Sequence, residues 1–218
     1  MNNQVVSRAA WLEARRELLT KEKAHTQASE RLAKLRRQLP WVKLEKDYVL
    51  QGTDGNISLL ELFADCSQLV VYHLMFGPEW ETPCIGCTSW ANAFNGTTDL
   101  FQRADARLIA VSRAPVEKLV VERETKGWSF VWVSSIDSDF NLDFYASSED
   151  LSKTSTKVIG GDSGELVEFD RGENHGVSVF AKNEEGVIFH TYSTYNRGIE
   201  AMNGAFGYFD LLPKGRAW

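Results

Sequence analysis

The segment from residue 68 to 135 constrains the fold most, because it alternates between apolar strand-like runs and helical stretches. Its first run, "QLVVYHLMF", is almost continuously apolar and rich in β-formers, which is typical of a strand covered on both faces. The further elements predicted are a helix in "TSWANAFNG", a strand at 107–112, a helix at 115–127 and a strand at 130–135. This order requires parallel crossovers, so we predict an α/β fold with a central sheet between helices.

A long helix is predicted ahead of this core. Residues 7–39 contain no Gly or Pro, and apolar or aromatic side chains recur every seven residues from Trp11 to Leu39, where Pro40 ends the pattern. We therefore predict a helical arm over residues 1–40 and one domain over 41–218. The stripe could pack on its own domain or form a homodimer contact, and both alternatives stay open. Residues 7–39 carry nine Lys or Arg against four Glu, which leaves the remainder strongly acidic.

The remaining segments predict short elements around the core. "WVKLEKDYVL" and "QGTDGN" indicate a hairpin after Pro40, and Ser58 with Glu61 forms a capping pair for a helical turn over 58–64. Residues 136–175 are interpreted as an insertion of loops and short elements. "GVSVFAKNEEGVIFHTYSTY" predicts a second hairpin, and "GIEAMNGAFGYFDLL" a final helix.

Composition excludes several classes of protein. The chain has 218 residues, 43% of them hydrophobic, a formal net charge of −6 and nowhere 18 consecutive apolar residues. We therefore expect neither a nucleic-acid partner nor a membrane partner, and a cytoplasmic location. In a reducing compartment, a Cys-x-x-Cys pair is better explained by catalysis or metal binding than by a structural disulfide.

The order of parts resembles the thioredoxin superfamily, in particular its peroxiredoxin-like and membrane-tethered thiol reductase branches. "LPWVKLEKDYVL", "YHLMFGPEW", "VSRAP", "SSIDSDFNLDF" and "HTYSTYNRG" more closely resemble a family of bacterial thioredoxin-like proteins known only as a domain of unknown function. The likeness covers nearly the whole chain. It implies a thioredoxin-like fold and redox chemistry without a settled activity.

The cysteine pair is the strongest candidate site. Cys84 and Cys87 lie at the predicted start of a helix, where free N–H groups stabilise a thiolate. We assign Cys84 the attacking role and Cys87 the resolving role, with Trp80 and Pro83 as walls, in a thiol–disulfide oxidoreductase that needs no cofactor. The alternatives are a thiol peroxidase in which Cys84 attacks peroxide and a binding module without catalysis. We expect no metal site, because the histidines show no ligand-like grouping, and we expect Cys66 to be a buried small residue.

Two positions depart from the patterns of the resembled families. Thioredoxins usually carry a cis-proline before the strand that faces the cysteines, and here Ser178 is expected at that place, with its hydroxyl towards the sulfur. The peroxiredoxin pattern P-x-x-x-T-x-x-C is matched at Pro78 and Thr82, but Cys84 comes one residue early. Arg113, at the end of a predicted strand, is expected either to stabilise a thiolate or bound anion, or to form a surface salt bridge.

Overall fold

The computed structural model describes residues 4–148, 155–157, 166–168 and 172–216. Its helices are α1 (Arg8–Arg37), α2 (Ile85–Phe94), α3 (Thr98–Arg103), α4 (Val116–Lys126), α5 (Phe140–Asp143) and α6 (Gly204–Phe209), with 3-10 turns at Glu61–Phe63 and Asn196–Met202. Its strands are β1 (Val42–Lys43), β2 (Val49–Gly52), β3 (Gly55–Ser58), β4 (Gln68–His73), β5 (Ala106–Ser112), β6 (Val131–Ser134), β7 (Ser155–Lys157), β8 (Leu166–Glu168), β9 (Gly176–Lys182) and β10 (Ile188–Tyr195).

Eight of the described strands form one mixed sheet in the order β1-β10-β9-β4-β5-β6-β2-β3. Strands β4, β5 and β6 run parallel, as the βαβαβ pattern predicts, and β9 pairs antiparallel with β4. The carboxyl ends of β4 and β5 therefore meet at one edge of the sheet. This topology confirms the predicted thioredoxin-like α/β fold.

Helix α1 is present as the sequence predicts. Ser7 accepts a hydrogen bond from the Ala10 backbone N–H and so caps the helix start, and the helix ends three residues before Pro40. None of its residues is buried, and Trp11 and Leu35 are 46% and 59% exposed. Whether the apolar stripe pairs with a second copy stays a prediction.

The predicted capping pair is confirmed. The Ser58 backbone N–H donates to the Glu61 carboxylate at 2.8 Å, and the Glu61 backbone N–H donates to the Ser58 hydroxyl at 3.2 Å. The helical turn is shorter than predicted, only Glu61–Phe63. The hairpin is formed by β2 and β3, whereas Val42 and Lys43 pair separately with β10.

Two other expectations need correction or lie partly outside the described residues. The final helix is not continuous: a 3-10 segment over Asn196–Met202 gives way to α6 after Asn203, whose side chain accepts from the Ala205 N–H. Of the predicted insertion, the structure describes α5 and an antiparallel β7–β8 pair, while 149–154, 158–165 and 169–171 lie outside the described residues.

The sheet has a core on each side, because successive residues of a strand point to opposite faces. One core, which we name the cysteine face, includes Tyr72, Cys87, Trp128 and Val177 under α2 and α4. The other includes Val71, Phe140, Phe144 and Phe180 under α5, and we name it the histidine face because His73 packs there against Phe140. In the described part of the chain, no helix is long and apolar enough to cross a membrane.

Candidate active site

The loop from β4 to α2 is held in place at both ends. The backbone N–H of Cys84 donates to the carbonyl of Met75 at 3.0 Å, so the loop closes immediately before the helix. The Lys118 ammonium of α4 donates to the carbonyls of Pro78 and Trp80 at 3.1 and 2.9 Å. These bonds fix the backbone ahead of the first cysteine.

Both predicted wall residues lie beside the cysteines. Trp80 is half-buried and packs on the cysteine-face core together with Cys84. Pro83 is buried directly before Cys84. The Trp80 ring lies so close to Gly77 that a Cβ there would come within 2.9 Å of its Nε1, so only glycine leaves room for this tryptophan position.

Cys84 occupies the N-cap position of α2 and is half-buried. Its Sγ lies beside the first turn, 3.8 Å from the position that a Cβ on Gly86 would take. The first N–H groups of a helix have no intrahelical acceptor and together carry partial positive charge. The sulfur of Cys84 is therefore placed where a thiolate is favoured.

Cys87 lies one turn further and is only 2% exposed. Its pKa is raised well above the ordinary value, first by a hydrogen bond to Cys84, then by burial and by the nearby charge of Cys84. A hydrogen bond with the Met75 backbone acts in the opposite direction. Of the two sulfurs, Cys87 is thus the one that keeps its proton.

Tyr72 is a site residue that the sequence reasoning missed. It is buried in β4 on the cysteine face, and its hydroxyl donates to the Cys87 carbonyl at 3.4 Å. The Tyr72 side chain also lowers the pKa of Cys87, while burial raises the pKa of the tyrosine itself. The strand alternation in "VVYH" was the available signal, because it places Tyr72 and His73 on opposite faces.

Arg113 follows β5 at the same sheet edge, but its guanidinium is paired. Its Nε and Nη2 lie 2.7 and 2.6 Å from Oε1 of Glu173, whose side chain is almost wholly buried. Burial raises the pKa of Glu173, and Arg113 opposes that shift. The ion pair is half-buried rather than the surface salt bridge considered from sequence.

Glu173 extends this ion pair into a chain of buried polar groups. Its Oε2 accepts from the Ser147 hydroxyl at 2.9 Å, the Asn141 amide donates to the same hydroxyl at 3.4 Å, and the Ser135 hydroxyl donates to Asn141 Oδ1 at 2.9 Å. Residues 141–173 come from the predicted insertion. The insertion thus supplies the partner of Arg113.

The structure corrects the expectation for Ser178. Its side chain lies on the histidine face, where its hydroxyl is 2.8 Å from His73 Nε2 and 2.8 Å from the Ser193 hydroxyl. The strand begins at Gly176, so the residue directly before it is His175, whose pKa is lowered by burial. Because its hydroxyl bonds His73 and Ser193, Ser178 does not present a hydroxyl to the sulfurs, and the described residues contain no cis peptide bond.

The three cysteines are in the thiol form, and Cys66 is half-buried rather than fully buried as expected. Within the described ranges, no group of three or more His, Cys, Asp or Glu side chains is placed to hold a metal ion. The site holds two adjacent thiols, and the pKa of one of them, Cys87, is raised.

Fold and site together define a thioredoxin-like α/β protein with a Cys-x-x-Cys pair at the start of the helix that follows a central strand. The family described as "Bacterial protein of unknown function (DUF899)" matches residues 1–218, so the chain belongs to that family. None of the curated proteins compared matches it.

Solved structures give distant likenesses. A structure of the bacterioferritin comigratory protein of Xanthomonas campestris, from work on its alkyl peroxide reduction activity, shares 19% identity with this chain, with a TM-score of 0.49 over 72% of this chain and 85% of the other. Peroxidoxin BcpB of Mycobacterium tuberculosis shares 18% identity, with a TM-score of 0.46 over 69% and 82% of the chains. Similarity at this level assigns no activity to this chain.

Proposed function

We propose that this protein is a thiol–disulfide oxidoreductase in which Cys84 attacks and Cys87 resolves. The observation that carries the proposal is the inequality of the two thiols. Cys84 is half-buried at a helix start, whereas Cys87 is buried and hydrogen-bonded to it. This arrangement supports a thiolate at Cys84 in contact with a proton-bearing neighbour.

The reaction proceeds in two exchanges. The Cys84 thiolate attacks one sulfur of a substrate disulfide, which forms a mixed disulfide and expels the other substrate sulfur as a thiolate. Cys87 then loses its proton to the leaving thiolate or to water and attacks Cys84 Sγ. The products are a Cys84–Cys87 disulfide and a substrate reduced by two electrons, and an external thiol reductant restores the protein.

The pKa shift of Cys87 is consistent with attack by Cys84 in the first exchange and by Cys87 in the second. The first cause of its raised pKa is the hydrogen bond to Cys84, and the charge of Cys84 contributes as well. Once Cys84 is in a mixed disulfide, its sulfur is neutral and both contributions weaken. Cys87 therefore becomes easier to deprotonate when its attack is needed.

Timed labelling of the reduced protein tests this proposal. With iodoacetamide and mass spectrometry, Cys84 should be alkylated before Cys66 and Cys87. The Cys87→Ser variant should accumulate a mixed disulfide with a small aromatic disulfide, while the Cys84→Ser variant should not. Cys66→Ser is the matched control, because it removes a thiol outside the pair and should leave both results unchanged.

Two outcomes would contradict the proposal. One is labelling of Cys84 that is no faster than that of Cys66. The other is equal trapping in the Cys84→Ser and Cys87→Ser variants. Either result favours the alternative in which the domain is a binding module without redox catalysis.

A thiol peroxidase is the second candidate, favoured by the position of Arg113 at the carboxyl end of the strand next to β4. In that reaction Cys84 attacks the peroxide O–O bond, becomes a sulfenic acid and releases water or an alcohol. Cys87 then displaces water from Cys84 to form the disulfide. The pairing of Arg113 with Glu173 disfavours this candidate, because the guanidinium is already bound to a carboxylate.

The two enzyme candidates respond differently to Arg113→Ala. If Arg113 orients the peroxide oxygens, its removal should lower the rate of reaction with peroxide by about 100-fold, while the rate of disulfide exchange should change little. Stopped-flow rates with both oxidants measure this difference. Equal losses with the two oxidants would remove the peroxide-specific role of Arg113.

We also propose that α1 mediates a homodimer. The support is its set of exposed apolar side chains, among them Trp11, Leu18 and Leu32, none of which is buried in the monomer. Removing residues 1–38 should lower the association state in sedimentation experiments while circular dichroism shows a folded body. An unchanged association state would refute this contact.

A further inference from the structure

A cavity of about 550 Å³ opens on the histidine face, away from the cysteine pair. Its walls are largely apolar and aromatic, and they include Leu39 and Pro40 at the base of the arm together with Phe144 and Tyr145. Its volume lies within the range of small-molecule sites, which are typically apolar clefts with a few directed polar groups. The proposed redox chemistry makes no use of it.

Two polar groups of this cavity belong to a hydrogen-bonded chain of four side chains. His190 and Ser193 line the cavity, and His190 Nε2 lies 2.7 Å from the Ser193 hydroxyl. The chain continues through Ser178 to His73, with 2.8 Å at each step. His73 is 1% exposed, so the chain leads from the cavity wall into the core.

A β-bulge makes this alignment. His190 pairs with Phe180 and Tyr192 pairs with Val179, so Thr191 is an extra residue in β10. In a regular strand, residues 190 and 193 would point to opposite faces, since their separation is odd. The bulge turns His190 to the face of Ser193, which is the kind of re-aiming that bulges provide next to functional sites.

The buried end of this chain includes one polar atom whose hydrogen-bonding capacity is not satisfied. His73 Nδ1 is buried and has no hydrogen-bond partner among the described residues. Burial lowers the pKa of His73 to about 3, so this ring is neutral near pH 7. An apolar strand pair in this position would avoid such an unsatisfied group, and buried polar chains of this kind need an explanation.

The lining determines which ligand chemistry fits. Burial lowers the pKa of His190, so one of its ring nitrogens is an acceptor at neutral pH. Asp143 supplies a carboxylate whose Oδ2 accepts from Lys46 and Tyr48 outside the lining, while no Lys or Arg is among the described lining residues. Arg36 stacks on the Tyr192 ring, 5.4 Å from its centroid, and is not part of the lining. Acceptors without a lining cation disfavour an anionic ligand.

We propose that this cavity binds a small neutral aromatic molecule with a hydroxyl group, a phenol, whose ring contacts Phe144 and Tyr145 and whose hydroxyl donates to the His190–Ser193 pair. This site is independent of the cysteines. Its binding therefore neither requires nor tests the proposed redox function.

The test uses three matched probes on the full chain: para-cresol, its methyl ether and para-toluate. Ligand-observed NMR titration should show para-cresol binding about tenfold more tightly than the ether, which has no donor, and more tightly than the anionic toluate. Cys84→Ser should bind para-cresol like the unmodified protein. This result separates the cavity from the redox site.

Two variants locate the binding. Tyr145 is 47% exposed and has a φ of +53°, a backbone conformation that glycine adopts without strain, so Tyr145→Gly removes a wall without threatening the fold. It should weaken all neutral probes. His190→Phe keeps a ring against Phe144 and Phe180 and should reduce the para-cresol preference over the ether to about onefold.

Several results would overturn the proposal. They are the lack of saturable para-cresol binding, tighter binding of para-toluate, an affinity that Tyr145→Gly leaves unchanged, and an unaltered preference in His190→Phe. Circular dichroism of each variant establishes that it is folded before it is titrated.

Discussion

Neighbouring residues of β4 serve opposite faces of the sheet: Tyr72 contacts the cysteine pair, whereas His73 begins a chain through two serines to a second histidine. On the cysteine face, the reactive groups come from one short motif at a helix start. On the histidine face, the hydrogen-bonded side chains come from β4, β9 and β10, and they meet only through strand pairing. Local sequence therefore specifies the first arrangement, and tertiary structure creates the second.

The largest effect is expected at the Arg113–Glu173 ion pair, directly after the carboxyl end of β5. Arg113 precedes Ala114 of the cysteine-face core, and its partner Glu173 leads through Ser147 to Asn141, beside Phe140 of the histidine face. Glu173→Ala leaves the Arg113 charge without its buried partner, so the free energy of unfolding should fall by about 3–5 kcal/mol. Urea unfolding measures this change.

A neutral residue of the same shape at position 173 separates the loss of the charge from the loss of the whole side chain. Glu173→Gln retains an acceptor for Arg113 and should destabilise the protein less than Glu173→Ala. Asp139→Ala, which removes an exposed partner of Lys46, should have little effect because exposed ion pairs contribute little. Equal stabilities for Glu173→Ala and Asp139→Ala would show that the buried pair stabilises the protein no more than an exposed one.

The second prediction concerns pH and the histidine face. His73 has an ordinary pKa near 6.5 in the unfolded chain and about 3 in the folded protein, because burial disfavours its charged form. The unfolded state therefore binds more protons as pH falls below about 6.5, and stability is lost over that range. Between about pH 7 and pH 5, His73 should contribute a loss of about 2 kcal/mol in the free energy of unfolding.

The His73→Gln variant isolates this contribution. Glutamine can still bond Ser178 but does not titrate, so the variant should lose less stability than the unmodified protein over the same pH interval. His175 and His190, whose pKa values are also lowered, add to the loss in both proteins, while the raised pKa of Glu173 acts in the opposite direction. Parallel stability curves for the two proteins would contradict a neutral buried His73.

The same difference between faces explains what the sequence could predict. The parallel core, the position of Cys84 and Cys87 at a helix start and the Ser58–Glu61 cap all follow from local patterns. The bulge at Thr191 does not, because an extra residue becomes visible only when its partner strand is known. The expectation for Ser178 is wrong because β9 turns Val177 to the cysteine face, and strand alternation then places Ser178 on the histidine face.

Partners that are distant in the sequence do not follow from local patterns. Arg113 is a candidate from the sequence, but Glu173 lies 60 residues further along the chain in a segment without periodicity. Its role depends on burial, which composition does not reveal. The sequence does not distinguish Tyr72, since an aromatic residue in an apolar strand more often signals packing than contact with a reactive group.

The smallest effect is expected from removing one hydroxyl on the cysteine face. The Tyr72 side chain lowers the pKa of Cys87, so Tyr72→Phe should raise that pKa further and slow the attack of Cys87 on a mixed disulfide. Because the hydrogen bond to the Cys87 carbonyl is long, at 3.4 Å, a loss of about 1 kcal/mol or less, or up to about fivefold in rate, is expected. Tyr48→Phe is the matched control, since its hydroxyl bonds Asp143 on the histidine face at 2.8 Å. Quenched-flow measurement of mixed-disulfide decay should show slowing in Tyr72→Phe and none in Tyr48→Phe. Equal decay rates in both variants would mean that the Tyr72 hydroxyl acts only in packing, and the chemistry of the cysteine face would then rest on the two thiols and the helix start.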